Sequence, residues 1–311
     1  MLIIVPLIIL MASWFVKGEC PPSKKILPFC TCREKYTGAE MTCSNLQSDE
    51  DLISPVQATV QDDMFSIKIV NSSLQYIPTG LFQETNYKEI YLIGTELISL
   101  SDSDVAFDGL EDTLTAIFIK EAHYVDEWEW SQLKNLRRLQ LIDIDYSSIY
   151  SVDQVFLAPH LKSLSITDSK VSSIHDYAFE ALKELEYLYL QGNSITVLKR
   201  SMFSKPSQLR MIRLNRNQLR HLPEDLFEYM PNLRALELNM NQFTILNEKE
   251  FSLAMKQLYV LSMTDNPLRC DCRLRWIVKS KKPRSFEARC TLPKNLNRVP
   301  LQELHINQLW C

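Results

Sequence analysis

Glycine is scarce, with six residues in a chain of 311. No Gly-rich loop is present that could cradle a phosphate. Also missing are Gly-x-Ser-x-Gly, where a strained turn exposes a nucleophilic serine, and His-Glu-x-x-His, where two imidazoles share a helix face for zinc. The five histidines (His123, His160, His175, His221, His305) are scattered without metal-ligand spacing. No cysteine falls between Cys43 and Cys270, and the formal net charge is only −4. These absences argue against catalysis, a metal or a cofactor, and against nucleic acid as a partner. An unrecognised site built from paired carboxylates is the one enzymatic alternative left open.

Long hydrophobic runs are missing everywhere except at the start. Met1–Leu10 is apolar apart from Pro6, and Lys17 ends the stretch. That is shorter than the ~20 residues of a membrane span. It reads as a signal peptide over residues 1–18, cut near Gly18. The expectation is a secreted, extracellular protein whose mature chain has no membrane span.

The eight cysteines fall into two groups, Cys20, Cys30, Cys32 and Cys43, then Cys270, Cys272, Cys290 and Cys311. An even count in an exported chain implies disulfides, and two groups imply two separately stapled ends. Cys-x-Cys is closer than the usual spacing of zinc ligands.

Between the groups the sequence repeats. Leu185-x-x-Leu188-x-Leu190-x-x-Asn193-x-Ile195 recurs from Leu209, Leu233 and Leu258, and in weaker form from Met64, Tyr87, Leu114, Leu136 and Leu161. The period of about 24 residues gives about nine copies. The alternating leucines describe a short strand with one buried face, and stacked copies make a parallel sheet over one shared core. The Asn stands where the chain leaves the strand and can satisfy buried backbone groups. A late Phe (Phe82, Phe107, Phe156, Phe179, Phe203, Phe227, Phe251) fills the wider convex side. In the first five copies the Asn position reads Ser72, Thr95, Ala122, Ile144 and Ser169. Ala122 and Ile144 cannot hydrogen-bond, and Glu127-Trp128-Glu129-Trp130 interrupts a short repeat, so irregular stacking is expected between about residues 114 and 150.

With these repeats, Cys20-x9-Cys30-x-Cys32-x10-Cys43 and Asn266-Pro267-Leu268-x-Cys270-Asp271-Cys272-Arg273-Leu274-x-Trp276 resemble the N- and C-terminal caps of secreted leucine-rich-repeat proteins. The resemblance implies an α/β repeat fold, a leucine-rich-repeat solenoid with a curved parallel sheet on its concave face and disulfide caps at both ends. It divides the chain into an N-terminal cap (19–60), about nine repeats (61–268) and a C-terminal cap (269–311). It also implies the pairs Cys20–Cys32, Cys30–Cys43, Cys270–Cys290 and Cys272–Cys311, whereas sequence alone permits three connectivities per group. Cys20-Pro21-Pro22, Ile26-x-Pro28 and Ile67-x-Ile69-x-x-Ser72-x-Leu74-x-x-Ile77-Pro78 are similar to arthropod proteins named after the non-catalytic subunit of Oplophorus-luciferin 2-monooxygenase. That likeness implies a non-enzymatic accessory subunit. The alternative is a free-standing recognition protein, an immune pattern receptor or a ligand trap.

A terminal coil cannot bury its own apolar edge, which is why such a stack needs lids. Its binding surface is the concave face, where one outward column is expected to read Lys68, Tyr91, Phe118, Gln140, Ser165, Tyr189, Arg213, Glu237 and Ser262. The column beside it contains Glu89, Arg138, Tyr187 and Met211. Tyr187, Tyr189, Met211 and Arg213 should meet on two neighbouring coils as a site for an extracellular protein partner, since aromatic, Met and Arg side chains are enriched at interfaces. The C-terminal cap carries Arg269, Arg273, Arg275, Lys279, Lys281, Lys282, Arg284 and Arg289, a candidate site for a sulfated glycan. Asn71-Ser72-Ser73 is the only sequon, and Asn71 is expected to be glycosylated.

Overall fold

The computed structural model describes residues 18–60, 62–124, 128–155 and 160–311. Most of the expected signal peptide and Phe156 lie outside the described residues. Within them the chain forms a 12-stranded sheet whose strands follow one another in sequence order. They are β1 (Cys30–Lys35), β2 (Gly38–Ser44), β3 (Met64–Val70), β4 (Glu89–Ile93), β5 (Ala116–Lys120) and β6 (Leu141–Asp145). The second half supplies β7 (Ser163–Thr167), β8 (Tyr187–Tyr189), β9 (Met211–Arg213), β10 (Ala235–Glu237), β11 (Val260–Ser262) and β12 (Ser285–Glu287). Only β1 and β2 pair antiparallel, and every later neighbour is parallel.

Alternation in each strand sends one set of side chains into the coil. Ile67 and Ile69, Ile90 and Leu92, Leu164 and Ile166, Leu188 and Leu190, and Leu236 and Leu238 are fully buried. Together with the convex side they form one continuous core along the stack. The late phenylalanines that are described are buried as well, and two neighbouring pairs meet, Phe82 with Phe107 at 6.2 Å and Phe179 with Phe203 at 5.9 Å between ring centres. A single coil presents this surface on both sides, so its burial depends on neighbours.

As each chain leaves its strand the turn residue adopts a left-handed conformation, at Asn71, Gly94, Glu121, Tyr146, Asp168, Gly192, Arg216, Met240 and Asp265. The residue after it closes the backbone account. Asn217 accepts from Ile195 N (3.0 Å) and donates to Leu190 O (2.8 Å) and Leu214 O (3.1 Å), tying two coils together. Asn193, Asn241 and Asn266 repeat the pattern. Ser72 takes over part of it, accepting from Leu46 N and donating to Val70 O.

Two expectations are corrected between 114 and 150. The repeat assigned to Leu136 begins at Leu139, because β6 aligns Ile142 with Ile117 and Ile144 with Ile119. Ile144 is therefore a core residue, and Ser147 occupies the polar position, its Oγ donating to Asp145 O while its backbone N donates to Ser169 Oγ of the next coil. Nor is the stack broken: β5, β6 and β7 pair over five residues each without a register shift. Trp128 and Trp130 are buried edge to face, 5.4 Å apart, and supply bulk there.

Disulfides close both ends. Cys20 joins Cys32 and Cys30 joins Cys43 across the β1–β2 hairpin, while Cys270 joins Cys290 and Cys272 joins Cys311. The C-terminal segment is also fastened through Trp276, whose Nε1 donates to Leu246 O at 3.0 Å.

Candidate binding face

The outward residues of the strands line up in columns fixed by register. One runs Lys68, Tyr91, Phe118, Asp143, Ser165, Tyr189, Arg213, Glu237, Ser262 and Glu287, and the next runs Ser66, Glu89, Ala116, Leu141, Ser163, Tyr187, Met211, Ala235 and Val260. Gln140 and Arg138 are thus not members, displaced by Asp143 and Leu141 through the same three-residue shift. Gln140 instead precedes β6, where its carbonyl accepts from Lys162 N and Ser163 N.

Tyr187, Tyr189, Met211 and Arg213 do come together, since β8 and β9 pair Tyr187 with Met211 and Tyr189 with Arg213. The two tyrosine rings lie 6.4 Å apart and nearly parallel. The Arg213 guanidinium sits 5.3 Å from the Tyr189 ring centre, and its Nε meets Glu237 Oε1 at 3.2 Å. Asn215 Nδ2 holds the other Glu237 oxygen at 2.8 Å. All four patch residues are half-buried. Desolvation raises the Tyr189 hydroxyl pKa despite the nearby Arg213 charge, so at neutral pH it stays protonated and able to donate. The arrangement offers a fixed aromatic and cationic surface before any partner arrives.

A second cluster escaped the sequence reading. Tyr91 and Phe118 stack at 4.5 Å and 11°, with Lys68 Nζ 4.9 Å from the Tyr91 ring centre. Tyr91 donates to Glu89 at 2.6 Å, and burial together with that carboxylate pushes its hydroxyl pKa far up. The signal was available: Tyr91 and Phe118 occupy adjacent repeats at one column position.

Several of the eight basic residues of the C-terminal segment are engaged by the chain itself. Arg269 and Arg273 both meet Asp271, at 3.3 and 2.6 Å. Arg275 donates to Leu309 O and Arg289 to Arg298 O. The hydrogen bond from Arg273, reinforced by the charges of Arg273 and Arg269, holds the Asp271 carboxyl below its usual range. Asp271, Cys272 and Cys311 converge, but both sulfurs are committed to a disulfide and offer no thiolate to a metal. Asn71 is exposed, with φ 45°, while Ser72 beside it is buried.

Stacked coils of this pattern, with an Asn ladder and disulfides near both ends, define a leucine-rich-repeat solenoid. The family model described as Leucine rich repeat matches residues 159–219 and 207–268. The chain is 22% identical over 287 residues to human Toll-like receptor 6, covering 87% of this chain and 30% of that protein, so it spans under a third of its relative's length. Among solved structures it is similar to the FLRT2 (LRR) chain in an octameric complex of Latrophilin 3, Unc5D and FLRT2. That likeness has a TM-score of 0.65 at 20% identity, covering 87% of this chain and 90% of the other. Among the described residues no helix is long and apolar enough to cross a membrane.

Proposed function

We propose that this chain is an extracellular, non-enzymatic scaffold that binds a protein partner through its concave sheet. The observation that carries it is the Tyr187–Tyr189–Met211–Arg213 surface, ordered by Glu237 and Asn215. Side chains already held in place lose less entropy on binding, and Tyr and Arg are the residue types that dominate interface energetics. Four disulfides support an oxidising compartment. The matching model is a repeat model rather than one of a catalytic family, which supports a binding role. On this reading residues 1–18 are a signal peptide, 19–60 and 269–311 are caps, and Asn71 carries a glycan.

The accessory-subunit form of this proposal rests on the likeness of the N-terminal half to the non-catalytic luciferase-subunit group. A free-standing recognition protein is the second reading, favoured by the match to a protein named as a receptor. Purification of the native, disulfide-intact protein from extracellular fluid separates them: a stoichiometric partner supports the subunit and a lone monomer supports the recognition protein. With the captured partner in hand, Tyr189→Ala together with Arg213→Ala should weaken binding at least ~10-fold without moving Tm. Undiminished binding would remove the concave patch from the proposal.

A further inference from the structure

The residue just before each strand forms a third column, along one flank of the concave sheet. In the C-terminal coils it reads Glu186, Arg210, Arg234, Tyr259 and Arg284, and each of the first four accepts at its carbonyl from the next coil: Arg210 N, Arg234 N and Tyr259 N donate in turn, then Ser285 N. Like charges on adjacent strands are destabilising, and at several other places opposite charges meet between neighbouring coils. Arg213 faces Glu237, Arg137 faces Asp112, and Lys199 faces Asp176. Of the three arginines in these C-terminal coils, Arg210 has a carboxylate, Glu186 at 2.7 Å. Among the described residues neither Arg234 nor Arg284 has one within ion-pair distance. Both are nonetheless held. Arg234 Nη1 donates to Pro231 O (2.8 Å) and Leu233 O (3.0 Å), and the Arg284 guanidinium lies 5.5 Å from the ring centre of exposed Tyr259.

We propose that this flank is a docking site for an acidic, extended polypeptide segment running along the stack, across the strands. Spacing supports that occupant. Strands lie ~4.8 Å apart, so Arg210 to Arg284, three spacings, covers ~14 Å. Alternate side chains of an extended chain recur every ~6.8 Å, so three carboxylates at alternate positions also cover ~14 Å. Arg–carboxylate pairing is bidentate and directional, which suits fixed guanidiniums. The site is separate from the Tyr189–Arg213 surface, although Met211 adjoins Arg210.

Fluorescence anisotropy on the full, disulfide-intact protein tests it, with a labelled peptide carrying Glu at alternate positions between serines. A Lys-containing counterpart and a heparin-derived octasaccharide are compared. The acidic peptide should bind and weaken as salt rises. Arg234→Glu with Arg284→Glu should weaken it at least ~10-fold, and the Gln pair, which keeps most of each aliphatic stem, should do so less steeply. Tyr189→Ala with Arg213→Ala should leave it unchanged, which separates this site from the concave one. The proposal is overturned if the acidic peptide fails to bind at low salt, if both Arg pairs are silent, or if the octasaccharide binds more tightly than the peptide.

Discussion

Arg216 reaches past an entire coil to bond Asp168, its Nη2 lying 2.8 Å from Asp168 Oδ2. Gly192 stands between them in the same turn column, and its lack of a side chain opens the way. A Cβ there would lie 2.2 Å from Asp168 Oδ1, at a φ of +71°. Gly192→Ala should therefore cost ~1–2 kcal/mol for the left-handed backbone alone, plus the displaced ion pair. Asp168→Asn, which keeps the turn and weakens only an exposed pair, should cost less than ~1 kcal/mol. Thermal unfolding of the two variants checks the order, and equal losses would mean the glycine matters only through the carboxylate.

Asn217 is buried and bonds four backbone groups from two coils. Asn217→Ala leaves several of them unpaired, at ~1–3 kcal/mol for each buried group. Asn217→Ser should retain part of the stability, as Ser72 does at the equivalent place. Urea unfolding that finds Ser no better than Ala would contradict the role given to the hydroxyl.

Leu188 is wholly buried in β8 between Leu164 and Ile212 on the neighbouring strands. Leu188→Ala should destabilise by ~2–5 kcal/mol through the cavity it leaves. Tyr187→Ala, on the opposite face of the same strand, should cost much less. The two midpoints measured side by side report the strand's orientation.

Asp271 has a lowered pKa in the folded protein, so its contribution is present above the unfolded value of about 3.9 and fades as pH falls through the folded one. Tm should therefore drop more steeply in the native chain than in Asp271→Asn as pH is taken from 5 to about 2. The two curves should converge at the acid end. Parallel curves would show that the Arg273 contact does not stabilise the cap.

The strong repeats were legible because four constraints coincide in them: a leucine pair, a terminal leucine, an Asn and a constant period. Where Asn gives way to Ser147, one constraint disappears and Leu136, Leu139 and Leu141 imitate the first three positions of the template. Leu136 and Leu139 are buried in the structure, so hydrophobicity alone could not choose the register. Only the pairing of β6 with β5 does so, and that is a relation between coils. Tyr189 and Arg213 were easier to place because both lie in repeats with an intact Asn.

The reversed strand β1 also governs how the molecule meets its own copies. A stack of parallel strands is open at both ends and could in principle grow head to tail into a filament. At the first end β1 presents an edge of the opposite polarity, lined by exposed Arg33, Glu34 and Lys35. Charged side chains on an edge strand oppose pairing with another chain. The hairpin thus acts as a chain terminator in the polymer sense and keeps a modular, extendable architecture at a finite length.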